Sequence, residues 1–371
     1  MPEYFKNLDA LRFYAFFLVF ISHVCTGFYL NTSWFSAVAE HLNIGDLGVT
    51  FFFVLSGFLI TTLLLREVTK TKTVNIKSFY IKRIKRIWPV YYIVLFFKFI
   101  FIPVALVFLG YLGLSLMSIS GDSLNTLPWF IFFAVNLYIS YFGFLSPILN
   151  VLWSISVEEQ FYLIWPWFIK YLEKYFYLTV SGLILISIYF KYTYYGTLVE
   201  NFHTFSAFGS LSIGSLGAYC CYRYKNFVKF FNMFDSRLAY VLYVVVFSTI
   251  FLRVFKSEIF SQSVLFGSLL STFSALIFLV FILEQALSLN PVISFGKFKI
   301  FSYLGKISYG LYAYHVISLT LIITFLKVIK INTTLNFILY SISVLSTFIL
   351  TLIMAYVSYE YIEKRVLKKT I

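Results

Sequence analysis

The sequence is poor in charge: Asp, Glu, Lys and Arg make up 12% of its 371 residues, roughly half the share of an ordinary soluble domain. With 61% of residues hydrophobic and 22% aromatic, a water-soluble globule is excluded. Cysteine is scarcer still, with three residues. Of the three, Cys25 lies in an apolar run and Cys220 and Cys221 are adjacent, so there is no disulfide framework and no sign of redox chemistry. Heptads, internal repeats and low-complexity tracts are missing, as is the mirrored pair of broken helices that marks many transporters. The first apolar stretch carries Asp9 and Arg12 and has no basic n-region followed by an A-x-A site. It is therefore expected to be a retained helix rather than a signal peptide.

The sequence does contain apolar blocks of about 20 residues, the length that crosses a hydrocarbon layer of about 30 Å as a helix. They fall near 8–30, 48–65, 88–110, 129–144, 157–172, 176–192, 204–222, 238–255, 264–284, 303–327 and 335–358. The bias of Lys and Arg among short loops sets orientation. Between Arg66 and Arg86 stand eight basic residues against one acid, Glu67, which places that loop and the N-terminus in the cytoplasm. If all eleven blocks crossed, the basic loop from Arg223 to Arg237 and the basic C-terminus would both lie outside. Removing 129–144 as a full crossing corrects both, and leaves 111–156, which has no Lys or Arg, on the outer face. The expectation is an all-α polytopic membrane protein of about ten spans, with both termini cytoplasmic and 129–144 re-entrant or packed on the outer face. One membrane domain covers 8–361, flanked by short tails 1–7 and 362–371. The net charge of +14 then reflects topology rather than nucleic-acid binding. Small residues recurring every fourth position, Ser206, Ser210, Gly214 and Ala218, and likewise Gly267, Ser271 and Ala275, mark helix-packing seams.

Ionisable residues inside spans are costly and tend to face a cavity, a partner or a function. Arg12 and His23 are eleven residues apart in the first span. Eleven steps of 100° return to within about 20° of the same face over a rise of about 16 Å. Arg12 has a competing role as a snorkelling partner of Asp9 at i,i+3, and His23 as a hydrogen-bonded core histidine. His315, ending the run KISYGLYAYH, lies past mid-depth in its own span and can converge with His23. No i,i+4 ligand spacing accompanies either histidine, so no metal is expected. His41 and His203 fall in outer loops and receive no role. In LWSISVEEQFYLIWP, Glu158 and Glu159 stand at a span entrance, with Tyr162 on the Glu158 face and Ser154 one turn earlier. A helix N-terminus favours such a charge in any case, and the functional alternative is a carboxylate that orients a histidine. SFYIKRIKRIWPVYY, with Ile81, Ile84 and Trp88 on one stripe, is expected to be an interfacial helix. In it Arg83 and Arg86 are placed to grip a polyanion or an anionic lipid. Ser56 in LSGF lacks a G-x-S-x-G elbow and is assigned to packing.

Taken together and in this order, LDALRFYAFFLVFISHV, GVTFFFVLSGFLIT, RIKR before IWPVYY, LWSISVEEQFYLIWP and ISYGLYAYH resemble the acyltransferase-3 family of bacterial membrane O-acyltransferases. Thr50 departs from the acid that many relatives carry there, and the chain looks like the type without an SGNH hydrolase-like domain. The resemblance implies a multi-pass protein of the bacterial cytoplasmic membrane, with acetyl-CoA as donor and a carbohydrate hydroxyl as acceptor. It points to Arg12 and His23 as the essential catalytic pair and to the WSxxVEE segment as functional, leaving open Glu158 or Glu159 as its acid, with Glu158 favoured, and to Arg83 and Arg86, with Lys82 and Lys85, as the donor-binding set. Glu159, His315, Trp153 and Tyr309 are implied as substrate contacts or supports. His23 acts as general base or as a transient acyl carrier. A glycan or lipid-linked sugar exporter is the alternative from another class, and a lipid-binding scaffold a third.

Overall fold

The computed structural model describes residues 4–30, 44–111, 122–254, 263–329, 331, 334–335 and 337–368. His41 lies outside them. Apart from one two-residue parallel pairing, Tyr29–Leu30 with Thr334–Leu335, the elements are helical. In chain order they are α1 (Lys6–Gly27), α2 (Gly45–Thr71), α3 (Ile76–Phe96), α4 (Ile102–Tyr111), α5 (Leu127–Ile131), α6 (Val135–Phe142), α7 (Pro147–Asn150), α8 (Trp153–Leu172), α9 (Phe176–Thr193), α10 (Leu198–Phe202), α11 (Thr204–Arg223), α12 (Lys225–Asn232), α13 (Ser236–Val254), α14 (Val264–Leu287), α15 (Lys299–Lys306), α16 (Ser308–Val328), α17 (Phe337–Ser358) and α18 (Lys364–Lys368). They form two compact units. One comprises Met1–Val19, His41–Ile76 and Val157–Lys306, the other Phe20–Glu40, Lys77–Ser156 and Ile307–Ile371.

Ten of the eleven apolar blocks each overlap a helix of 18 residues or more, although 88–110 runs on from α3 through Phe97–Phe101 into α4 and 303–327 starts in α15. The eleventh, 129–144, does not cross as one helix. It breaks between α5 and α6, where Phe133 takes a left-handed φ of 52°. That irregular backbone is covered by protein: Tyr91 donates to the Phe130 carbonyl at 2.9 Å, and its ring packs 4.4 Å from that of Phe133. Length and hydropathy together qualify seven stretches among the described residues as candidate membrane spans, or eight with the bent pair Lys225–Asn232 and Ser236–Phe251. The difference between eight and ten has two local causes. Two helices fall in one qualifying run, Pro147–Thr193, and α11, diluted by Ser and Gly, does not qualify.

In the first unit the expected small-residue seam is the central packing device. A Cβ placed on Gly214 would stand 1.9 Å from the Val54 carbonyl oxygen, and one on Gly57 would stand 1.9 Å from that of Leu211. Thus α2 and α11 touch backbone to backbone, as small residues permit where no hydrophobic force drives helices together. Thr61 donates to Ser215 at 2.9 Å and accepts from the Trp165 indole at 2.8 Å, which ties α8 to the same seam. The other seam behaves similarly: Gly267 makes room for the Tyr195 ring, and Ser271 accepts from Lys191.

In the second unit α16 packs on α17, with Gly310 against Ala355. Helix α3 contains Pro89 and runs through a π-helical turn, Phe97–Phe101, into α4. The interfacial helix expected around RIKR is not set apart. Those residues form the opening turns of the candidate span Ile76–Ala105, with Ile81 and Ile84 exposed on its side. The reason is continuity: nothing breaks the chain between Ile76 and Phe96, and Pro89 is accommodated within the helix.

The π turn carries Lys98, which is buried and paired with Asp122 at 3.0 Å, while Asp122 also accepts from the Ser146 amide at 3.0 Å. This pair fastens the segment containing α5 and α6 to α3. Removing one partner of a buried pair strands the other, at a cost of about 3–5 kcal/mol, whereas an apolar replacement of both can be neutral. Lys98→Met alone is therefore expected to lower the thermal midpoint of the detergent-solubilised protein markedly. Adding Asp122→Leu is expected to recover most of the loss.

Candidate active site

Helix α1 passes without Pro or Gly from Lys6 to Thr26, and its apolar faces carry one histidine deep in the helix, His23. Helix α16 carries His315, which is 1% exposed. Both lie in the second unit, and they meet: His23 Nδ1 is 2.7 Å from His315 Nε2, with the rings 5.0 Å apart at 24°. His315 Nδ1 lies 2.6 Å from the Tyr312 carbonyl oxygen.

These partners fix the protons. A carbonyl only accepts, so Nδ1 of His315 carries the hydrogen, and a neutral imidazole has only one. His315 Nε2 must then accept, and the hydrogen it receives is on His23 Nδ1. By the same count His23 Nε2 holds a bare lone pair. The arrangement is a directed relay, from His23 through His315 to the backbone of α16, that ends in a basic nitrogen on a half-buried ring.

The support behind the relay comes from α8. Tyr312 donates to the Val151 carbonyl at 3.2 Å and meets Ser154 Oγ at 2.7 Å. With the Tyr312 hydrogen given to Val151, Ser154 is the donor. Trp153, the first residue of α8, is half-buried. The serine of WSxxVEE thus braces the tyrosine whose carbonyl orients His315, a connection that no spacing rule makes visible.

At the start of α16, Tyr309 donates to the Ile87 carbonyl at 2.9 Å, next to Arg86. Arg83 lies over the Phe79 ring at 5.8 Å. Arg83, Lys85 and Arg86 are half-buried and Lys82 is exposed. From Tyr309 to His315 the helix rises about 9 Å. Along α16, therefore, the basic element stands about that far from the histidine pair.

In the first unit Arg12 bonds Asp9 at 2.9 Å, the i,i+3 pairing, and Asp9 also accepts from Tyr4. Glu158 accepts from Ser56 at 2.7 Å and from Tyr162 at 2.9 Å. The assignment of Ser56 to packing is thereby corrected: its hydroxyl is committed to a carboxylate on α8, because helix geometry alone, without an elbow, presents it there. Glu158 and Glu159 are both half-buried. His203 caps α11 by accepting from the Phe205 amide at 3.3 Å and stacks on Phe190. Burial lowers its pKa, in keeping with a structural neutral ring. Sequence reasoning also passed over Tyr312, Lys98 and Glu363. For the last two the signal was a charge inside or beside an apolar block.

Among the described residues no group of three His, Cys, Asp or Glu side chains is placed to hold a metal ion. A family model described as an acyltransferase domain matches residues 5–356. The peptidoglycan O-acetyltransferase OatA of Listeria monocytogenes is 29% identical over 354 residues, which cover 89% of this chain and 52% of that protein. The O-acetyltransferase OatA of Staphylococcus aureus is 28% identical over 99% of this chain and 58% of its own length. The putative peptidoglycan O-acetyltransferase YrhL of Bacillus subtilis is 34% identical over 45% of this chain and 24% of its own. The chain spans about half the length of the first two. No solved structure matches it. A match that runs over residues 5–356, on a helical chain with several candidate spans, shows that this protein belongs to the acyltransferase-3 family.

Proposed function

We propose that this protein transfers an acyl group, acetyl in the first instance, from acyl-CoA to a hydroxyl of a cell-envelope carbohydrate. Peptidoglycan is the acceptor named for two of its relatives and is the first to test. The observation that carries this reading is the histidine relay, which leaves His23 Nε2 as a base within the unit that also holds Arg83 and Arg86.

A thioester is already activated, so the task is to make an alcohol nucleophilic. His23 Nε2 takes the hydroxyl proton as the oxygen attacks the thioester carbonyl carbon. The C–S bond then breaks, and the imidazolium returns its proton to the departing thiolate, leaving the ester and the free thiol. His315 steadies the transient cation by accepting from Nδ1. Arg83 and Arg86, with Lys82 and Lys85, hold the donor's phosphates, and Arg forks suit phosphate geometry. Arg12, held by Asp9 in the first unit, remains the candidate catalytic cation of α1. Glu158, held by Ser56 and Tyr162, remains the candidate acid of α8. Trp153, Tyr309 and Glu159 remain candidates for support. The basic end faces the cytoplasm, where the nucleotide is found, with both termini on that side of the bacterial cytoplasmic membrane.

The test is label transfer. Purified protein in lipid vesicles, given acetyl-labelled CoA and a glycan acceptor, is expected to place base-labile label on the glycan, and the His41→Ala variant to do so equally. Movement of glycan without label would instead support an exporter. Replacing Arg83 and Arg86 together by Ala is expected to raise the donor KM about tenfold or more, with kcat little changed, as loss of charge-assisted contacts of roughly 1.5–3 kcal/mol requires.

A further inference from the structure

The last long helix does not end where its apolar run ends. After Ser358 the backbone makes a π-helical turn, Tyr359–Glu363, before α18 begins. Such turns are rare and recur at functional sites, because the extra residue rotates the following side chains to a new face. Here the side chain brought inward is Glu363, 3% exposed.

A buried carboxylate is costly unless it is paired or hydrogen-bonded. Among the described residues Glu363 has one hydrogen bond, from Ser358 to Oε1 at a long 3.4 Å, and Ser358 in turn receives one from Tyr314 at 3.0 Å. The Arg86 guanidinium acts on it electrostatically, yet no ion pair within 4.0 Å joins the two among the described residues. An acid placed so expensively, and satisfied so poorly by its own chain, is suited to a ligand that donates hydrogen bonds.

Its position narrows the ligand. Glu363 Oε1 is 3.6 Å from where a Cβ of Gly310 would stand. Gly310 follows Tyr309, which touches α3 beside Arg86, and precedes His315 by five residues, a rise of about 7.5 Å. Along α16 the carboxylate therefore lies between the basic element and the histidine pair. Phosphate is repelled by a carboxylate. An uncharged arm with amide N–H groups and a hydroxyl, such as pantetheine, is complementary to it.

We propose that Glu363 is a donor-binding residue, accepting a hydrogen bond from an N–H or O–H of the pantetheine arm as it passes from Arg86 toward His23. The inference rests on acyl-CoA as the donor, and it extends the site beyond residues 5–356, over which the family model matches.

Two donors separate its role from that of the arginines: acetyl-CoA, and acetyl-pantetheine, which lacks the nucleotide. Glu363→Gln is expected to raise KM about tenfold for both donors, the size of one lost hydrogen bond to a charged group. Arg86→Ala is expected to raise it for acetyl-CoA alone. A Glu363→Gln effect that disappears with acetyl-pantetheine would show that the acid acts through Arg86, and would overturn the inference. So would unchanged KM values for a variant that elutes and melts like wild type. If Glu363→Gln does not fold, Glu363→Asp, which keeps the charge and withdraws it by one methylene, is expected to show the same two-donor rise, and its absence overturns the proposal equally. Wild-type protein that transfers from neither donor would contradict the acyl-CoA reading itself and remove this inference with it. Wild-type transfer with a normal Glu363→Gln variant would remove only the latter.

Discussion

The His23→Ala variant is expected to transfer acyl groups about 10²- to 10⁴-fold more slowly than wild type, the contribution of a positioned general base. The loss should fall on kcat, since in the proposed function other residues hold the donor's phosphates. His315→Phe keeps a planar aromatic ring but removes the acceptor for His23 Nδ1–H, so the His23 proton is free to move to Nε2 and block the base. It is expected to be slower than wild type but faster than His23→Ala. Because the two rings form one hydrogen-bonded unit at 2.7 Å, the double variant should be no slower than His23→Ala alone. Activity within tenfold of wild type in His23→Ala, in protein that folds normally, would remove the catalytic assignment.

The second large effect is structural. Gly57→Leu is expected to abolish recovery of folded protein, because even the first added carbon would stand 1.9 Å from the Leu211 carbonyl oxygen, and that atom belongs to a helix backbone. Overpacking a core by a few methylenes typically costs about 1–3 kcal/mol, and here no side chain can move aside to absorb it. Gly182→Ala in α9 is the matched control. Nothing lies within 4 Å of its added Cβ, and Ala exceeds Gly in helix propensity by about 1 kcal/mol. It should be recovered at least as well as wild type, with an equal or higher thermal midpoint.

Much of this architecture is written in the apolar blocks, because a helix that must satisfy its own backbone in hydrocarbon leaves a run of fixed length. The interruption within 129–144 was legible for another reason: counting Lys and Arg on either side required that block not to cross. The histidine convergence could be anticipated only as an option. Its direction could not, since the tautomer depends on a backbone carbonyl at Tyr312 that no side-chain pattern encodes. Ser56 was misjudged because a hydroxyl in an apolar helix looks like a small packing residue until its partner, Glu158, arrives from a distant segment. Lys98 and Glu363 escaped for a shared reason: both lie in π-helical turns, which shift a side chain off the face that a regular 100° step assigns to it. For Arg12 the i,i+3 spacing offered the Asp9 pairing that the structure contains.

The most direct measurement is the protonation of the leading imidazole, read from the ring-nitrogen NMR shifts of protein with labelled histidine, assigned by comparison with His23→Ala. A hydrogen on Nδ1 and a bare Nε2 at neutral pH is the predicted result. A hydrogen found on Nε2 would leave no base facing the acceptor, and the proposed chemistry would have to be abandoned.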